Sequence, residues 1–161
     1  MYRVVDTNVL IVANHKAPQA SLECVLSCVE YLNNLRKSDI LVIDSDWLII
    51  GEYRRKNSES GQPGVGDAFL KWMLTNRTNP KHCEQVHITQ LAENDFAEFP
   101  RSPSLAGFDP SDRKFVAVAL THPQRPAIAN AVDSDWRNYE SALAQQGIKV
   151  DFLCAELRPK D

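Results

Sequence analysis

Four acidic residues stand where they can do chemistry: Asp6, Glu52, Asp112 and Asp133. Asp6 interrupts the apolar run YRVVDTNVLIV at residues 2 to 12, and a charge between Val5 and Val9 is costly to bury unless something pairs with it or coordinates it. Glu52 lies in IIGEYRR, Asp112 in SDRKFVAVA and Asp133 at the end of AIANAVD. Carboxylates gathered at one place repel one another unless a cation holds them. A ligand set made only of oxygens suits a hard divalent cation, Mg²⁺ or Mn²⁺. His15, His82, His87 and His122 are scattered without HExxH or HxxxH spacing, so zinc is disfavoured and each reads as a surface or packing residue. Each acid also has a plainer reading. Asp6 can cap a helix, Asp112 gains from a helix start, Glu52 can be a solvated helix charge and Asp133 a turn residue.

The elements that must position these acids follow from periodicity. Tyr2 to Asp6 reads as a strand, and Leu22, Val25, Leu26, Val29, Leu32 and Leu35 recur at helical spacing through residues 19 to 37. Ile40 to Asp44 reads as a strand, and Ser45 or Asp46 can cap a helix from Trp47 to about Lys56. SESGQPGVG, residues 58 to 66, reads as a mobile loop and a candidate lid. A short helix over Asp67 to Asn76 and a weak strand over Gln85 to Thr89 follow, then a second loop at residues 100 to 110. Ser111 can cap the helix of SDRKFVAVALTH. Ala127 to Val132 reads as a strand, Asp135 to Gln146 as a helix ended by Gly147, and Ile148 to Leu153 as a last strand. This alternation predicts an α/β fold, a parallel sheet with helices on both faces. Asp6 and Asp133 then sit at carboxyl ends of strands, where open parallel sheets bind ligands.

Composition limits the function classes. The chain has 161 residues, 43% hydrophobic and 24% charged, the size and balance of one globular domain spanning residues 1–161. No apolar stretch is long enough to span a bilayer, and the start has neither a basic region nor a small-residue cleavage site, which predicts a cytoplasmic protein with no membrane partner. Cys24, Cys28, Cys83 and Cys154 form no CxxC pair and are expected to be buried thiols. A net charge of −3 argues against a broad basic face, so nucleic-acid contact is expected to be local and metal-assisted.

Taken together, VVDTNVL, SDWLIIGEYRR, SDRKFVAVA and AVDSDW resemble the four acidic motifs of the PIN domain, a metal-dependent nuclease fold, over Tyr2 to about Trp136. The resemblance implies metal-binding, catalytic acids at Asp6, Glu52, Asp112 and Asp133, a further acid at Asp135, and site-orienting polar residues at Thr7 and Asn8. It also implies a five-stranded parallel sheet in a three-layer sandwich, with the strands of Asp6 and Asp133 adjacent. The implied activity is Mg²⁺- or Mn²⁺-dependent hydrolysis of phosphodiester bonds in single-stranded RNA. The best-known small members are toxins of bacterial toxin-antitoxin pairs, which implies an inhibitory protein partner; a homodimer through the helix at 19 to 37 is the other expected association.

Cations for the RNA backbone trail three of the motifs: Arg54 and Arg55, Arg113 and Lys114, and Arg137. Trp47, Trp72 and Trp136 can stack on bases, although core packing is the expectation for each. Two other classes compete. A Mg²⁺-dependent phosphatase or phosphoryl-accepting domain also ends a strand on Asp, but haloacid-dehalogenase phosphatases need DxDx[TV] where this chain has Asp6-Thr7-Asn8, and receiver domains need their Asp at the third strand. The other is a PIN-fold binding module without catalysis, against which the full set of acids weighs.

Overall fold

The computed structural model describes residues 1–155. Five short strands make one parallel sheet: β1 (Tyr2–Val5), β2 (Ile40–Asp44), β3 (Cys83–Val86), β6 (Ile128–Asn130) and β7 (Val150–Phe152), in the order β3-β2-β1-β6-β7. Register is set by pairs such as Arg3 with Leu41, Val5 with Ala129 and Ala129 with Asp151. The strand of Asp6 therefore does neighbour that of Asp133. Strand order reverses between β1 and β6, which opens a crevice at their carboxyl ends. The central strands are buried on both faces, as a sheet covered on both sides requires.

Helices α1 (Thr7–Ala13), α2 (Leu22–Ser38) and α4 (Val65–Asn76) pack together in one layer. Helix α5 (Arg113–Thr121) lies along β1, β2 and β6, and its buried Phe115 to Ala119 fill the core there. Helix α3 (Leu48–Lys56) leans on β2 and touches both α4 and α5. A Cβ at Gly66 would stand 2.1 Å from the Leu10 carbonyl oxygen, so only glycine lets α4 approach α1 this closely. The result is an α/β three-layer fold.

Several local expectations are corrected. Thr7 to Ala13, which reads in the sequence as resumed apolar residues, is helix α1 with Asp6 as its cap. The cap of α3 is Asp44 rather than Ser45 or Asp46; its carboxylate accepts from the backbone N–H of Leu48 at 2.8 Å and of Ile49 at 2.9 Å. Strand β3 begins two residues before the predicted start, and a hairpin of β4 (Gln90–Ala92) and β5 (Asp95–Phe96) follows it. The loop at 100 to 110 contains a 3₁₀ turn, Pro103–Leu105, and runs into a second, Pro110–Asp112. Ser111 does not cap α5; it is itself held by Asp109, whose carboxylate accepts from the Ser111 N–H and hydroxyl. The expected helix at 135 to 146 breaks at Tyr139 into α6 (Ser134–Asn138) and α7 (Glu140–Gln145).

The segment at 58 to 66 is an ordered turn held at Ser58 and Gly64. The carboxylate of buried Asp67 accepts from the Ser58 N–H at 2.7 Å and the Gly64 N–H at 3.0 Å, while Asn14 Nδ2 donates to that carboxylate and Asn14 Oδ1 accepts from the Asp67 N–H. The turn is thus tied to α1 and α4. Nor are all the cysteines thiols: Cys24 on α2 is bonded to Cys154 after β7, a pairing across 130 residues that no local spacing announces. Cys28 and Cys83 are buried and lie outside that bond. Among the described residues no helix is long and apolar enough to cross a membrane. Leu22 and Leu26, one turn apart on α2, are exposed.

Candidate metal centre

Asp6, Asp112 and Asp133 converge at the crevice between β1 and β6, each offering a carboxylate oxygen within 4.8 Å of the other two. Asp6 follows β1 directly. Its Oδ1 accepts from the Asn8 N–H at 2.9 Å, and its Oδ2 from the Trp136 indole N–H at 2.6 Å. Burial pushes its pKa up to about 6, against those two hydrogen bonds, and the charges of Glu52 and Asp133 add to the rise. Asp133 caps α6 through Oδ1 to the Asp135 N–H at 2.9 Å.

Asp112 is the most telling of the three. It sits at the start of α5, 6% exposed, and its Oδ2 is buried with no hydrogen-bond partner. Burial, then the charges of Asp6 and Asp133, push its pKa up to about 10. A buried acceptor without a donor is destabilising unless a ligand satisfies it, and a cation between carboxylates removes both the orphan and the repulsion. The donors present therefore fit a hard divalent ion held by Asp6, Asp112 and Asp133.

The remaining acids separate into two groups. Asp135 belongs to a second trio with Asp109 and Asp112, also within 4.8 Å, and its Oδ2 accepts from the Asp109 N–H at 2.9 Å. Burial raises its pKa too. Glu52 is turned differently: Oε1 pairs with Lys114 Nζ at 2.9 Å and Oε2 accepts from the Thr7 hydroxyl. It borders the centre without joining either trio.

Asn8 and Asn130 hold the crevice together. Asn8 Nδ2 donates to Asn130 Oδ1 at 2.9 Å, and Asn8 Oδ1 accepts from the N–H groups of Ala131 and Val132. Asn130 in turn binds the backbone of Asp133 at both its carbonyl and its N–H. The turn that aims Asp133 is thus fastened to the start of α1. Asn8→Ala leaves two backbone donors without partners, so we expect a loss of roughly 2–3 kcal/mol in urea unfolding, together with displaced Asp133 and weaker Mn²⁺ binding by calorimetry. Unchanged stability and unchanged binding would show that this bridge is dispensable.

The basic residues divide by environment. Lys114 is 5% exposed and bound to Glu52 and the Ser111 carbonyl, so it is an internal counter-ion rather than a cation on the groove's rim. Arg54 pairs with Glu59, and Arg137 with Glu140 at 2.9 Å. Arg113 lies over the Phe99 ring and donates to the Ala106 carbonyl. Arg55 is exposed. Trp136 is core, as expected, yet its indole N–H is a direct support of Asp6; Trp72 packs on Phe69 and His82.

Sequence reasoning missed Asn130, Asp109 and the polar role of Trp136. Asn130 had a signal, an amide inside the apolar strand AIANAV; Asp109 depends on loop geometry, and Trp136 on the approach of α6 to Asp6. Comparison of the chain with known protein families, curated proteins and solved structures found no match.

Proposed function

We propose that this protein is a metal-dependent endoribonuclease acting on single-stranded RNA. The observation that carries the reading is Asp112, whose Oδ2 is buried and unpartnered and whose carboxylate lies within 4.8 Å of those of Asp6 and Asp133 at the strand-order reversal. The motif resemblance to the PIN domain supports it. When bound, Mg²⁺ or Mn²⁺ supplies positive charge that stabilises a phosphodiester under attack by water and the oxygen that leaves. Asp6, Asp112 and Asp133 hold the ion, and the Asp109, Asp112 and Asp135 trio can hold a second. Asn8, Asn130 and Trp136 orient those carboxylates. Arg55, which is exposed, and Arg113 are the cations this reading assigns to backbone phosphates, and Glu52 with Lys114 and Thr7 borders the centre. Control by an inhibitory protein, as for small nucleases of the toxin type, belongs to the same proposal.

A phosphoryl-accepting Asp6 is disfavoured because Asp6-Thr7-Asn8 lacks the second acid that such phosphatases place two residues after the acceptor. The test sets an unstructured RNA oligonucleotide beside a generic phosphomonoester, with Mn²⁺ and with chelator. Internal cleavage of RNA only with the ion is the expected result. Turnover of the phosphomonoester alone favours a phosphatase, and RNA binding without cleavage favours a non-catalytic module.

A further inference from the structure

Trp47 is the aromatic residue whose placement the carboxylate centre leaves unexplained. It stands at the cap position of α3 with φ 63° and ψ 26°, the left-handed region, where a bulky side chain is an outlier. The capping work there is done by Asp44, not by Trp47. Glycine or asparagine would adopt this backbone with less strain, and strain of this kind is often retained for function. Trp47 is 37% exposed and Arg77 lies over its indole, 5.4 Å from guanidinium carbon to ring centre.

The ring faces a recess of about 140 Å³ lined also by Gly51, Arg55, Gln90, Asn94 and Lys114. Four of the lining residues, Trp47, Arg55, Gln90 and Asn94, suit parts of a nucleotide. An indole gives a base a stacking surface, two carboxamides give paired donors and acceptors for a base edge, and a guanidinium gives a partner for phosphate. Gly51 leaves the recess open: a Cβ there would meet only Arg55 Nη1, at 3.5 Å. The recess also adjoins the carboxylates, because Lys114 in its wall binds Glu52, Glu52 binds Thr7, and Thr7 follows Asp6.

We propose that this recess seats one nucleobase of the RNA strand being cut, stacked on Trp47 with its polar edge against Gln90 and Asn94. The proposal rests on the ribonuclease reading. It places a base pocket on the β4–β5 hairpin and the start of α3, so that the neighbouring phosphodiester lies over the centre.

The test measures binding of a fluorescently labelled eight-nucleotide unstructured RNA to full-length protein carrying Asp112→Asn, in Mg²⁺. Trp47→Leu and Gly51→Leu are then added separately, the first removing the stacking plane and the second filling the recess. Melting curves show whether each variant is folded, and Gly51→Leu sits in a helix where losing glycine favours folding. Each substitution is expected to weaken binding about tenfold. An oligomer series with one abasic position each should show a single position whose loss weakens the Asp112→Asn protein but has no effect once Trp47→Leu is present. Quenching of indole fluorescence by the four nucleoside 5′-monophosphates, lost with Trp47→Leu, separates a pocket that takes free nucleotides from one that fills only as part of a strand; either form supports the base pocket. Unchanged oligomer affinity in both variants, or no abasic position coupled to Trp47, overturns the pocket while the ribonuclease reading stands. Failure of the wild-type protein to bind or cleave the oligomer in Mg²⁺ overturns both.

Discussion

Asp112→Asn abolishes RNA cleavage and at the same time raises the melting temperature of the metal-free protein. Cleavage falls by about 10³-fold, the scale of the several kcal/mol that a coordinated cation contributes to a transition state. The gain in stability follows from the proton balance. With its pKa pushed up to about 10 in the folded protein and near 4 in the unfolded chain, Asp112 binds more protons folded than unfolded. Wild-type stability in chelator is therefore fully present below about pH 4 and declines as pH rises toward 10. Asparagine keeps the shape without the charge, so the variant lacks that decline and gains about 2–4 kcal/mol at neutral pH. Thermal melts from pH 5 to 9 in chelator measure the difference, and added Mn²⁺ should restore only the wild type. A variant that melts lower than wild type throughout would mean that Asp112 is structural. Asp6 is the poorer probe, because Asp6→Asn turns an amide N–H toward the Trp136 N–H.

Lys114→Met destabilises the fold by about 3–5 kcal/mol, because it leaves the Glu52 carboxylate, 15% exposed at its side chain, without its cation. Adding Glu52→Gln to the same protein recovers most of that loss, since a buried pair replaced at both ends is nearly neutral. Urea unfolding of wild type, both single variants and the double variant closes the cycle. Additive losses would mean that the pair contributes nothing. The double variant also divides two roles for Glu52. Retained Mn²⁺-dependent cleavage marks Glu52 as a wall of the centre, and lost cleavage with retained stability marks its charge as part of the cation's environment.

Much of this architecture was legible in the sequence because it is periodic. The strands at Tyr2, Ile40, Ile128 and Val150 and the long helix α2 announce themselves by runs and spacing. Asp6, Asp112 and Asp133 were legible because they follow strands or open helices at one edge of a parallel sheet. What failed was what depends on contacts between distant residues. Lys114 reads as a surface cation in SDRKF, and only the approach of α3 to α5 turns it inward onto Glu52. Asp44 reads as a strand end, yet the turn after β2 lets it cap α3 over its neighbours' heads. Helix α1, seven residues long, is too short for its period to stand out from an apolar run. The break at Tyr139 leaves no mark in composition, and the first strand of the hairpin at Gln90 is made of exposed residues with no apolar pattern to read.

The bond between Cys24 and Cys154 makes most of the chain a covalent ring. A protease cut in the turns between Phe99 and Phe108 would leave one piece holding Asp6 and Glu52 and another holding Asp112 and Asp133. The bridge joins those pieces, Cys24 in the first and Cys154 in the second, at the millimolar effective concentrations of tethered partners. The nicked protein thus keeps both halves of its cation centre together, and the halves part on a denaturing gel only after a thiol reductant opens the ring.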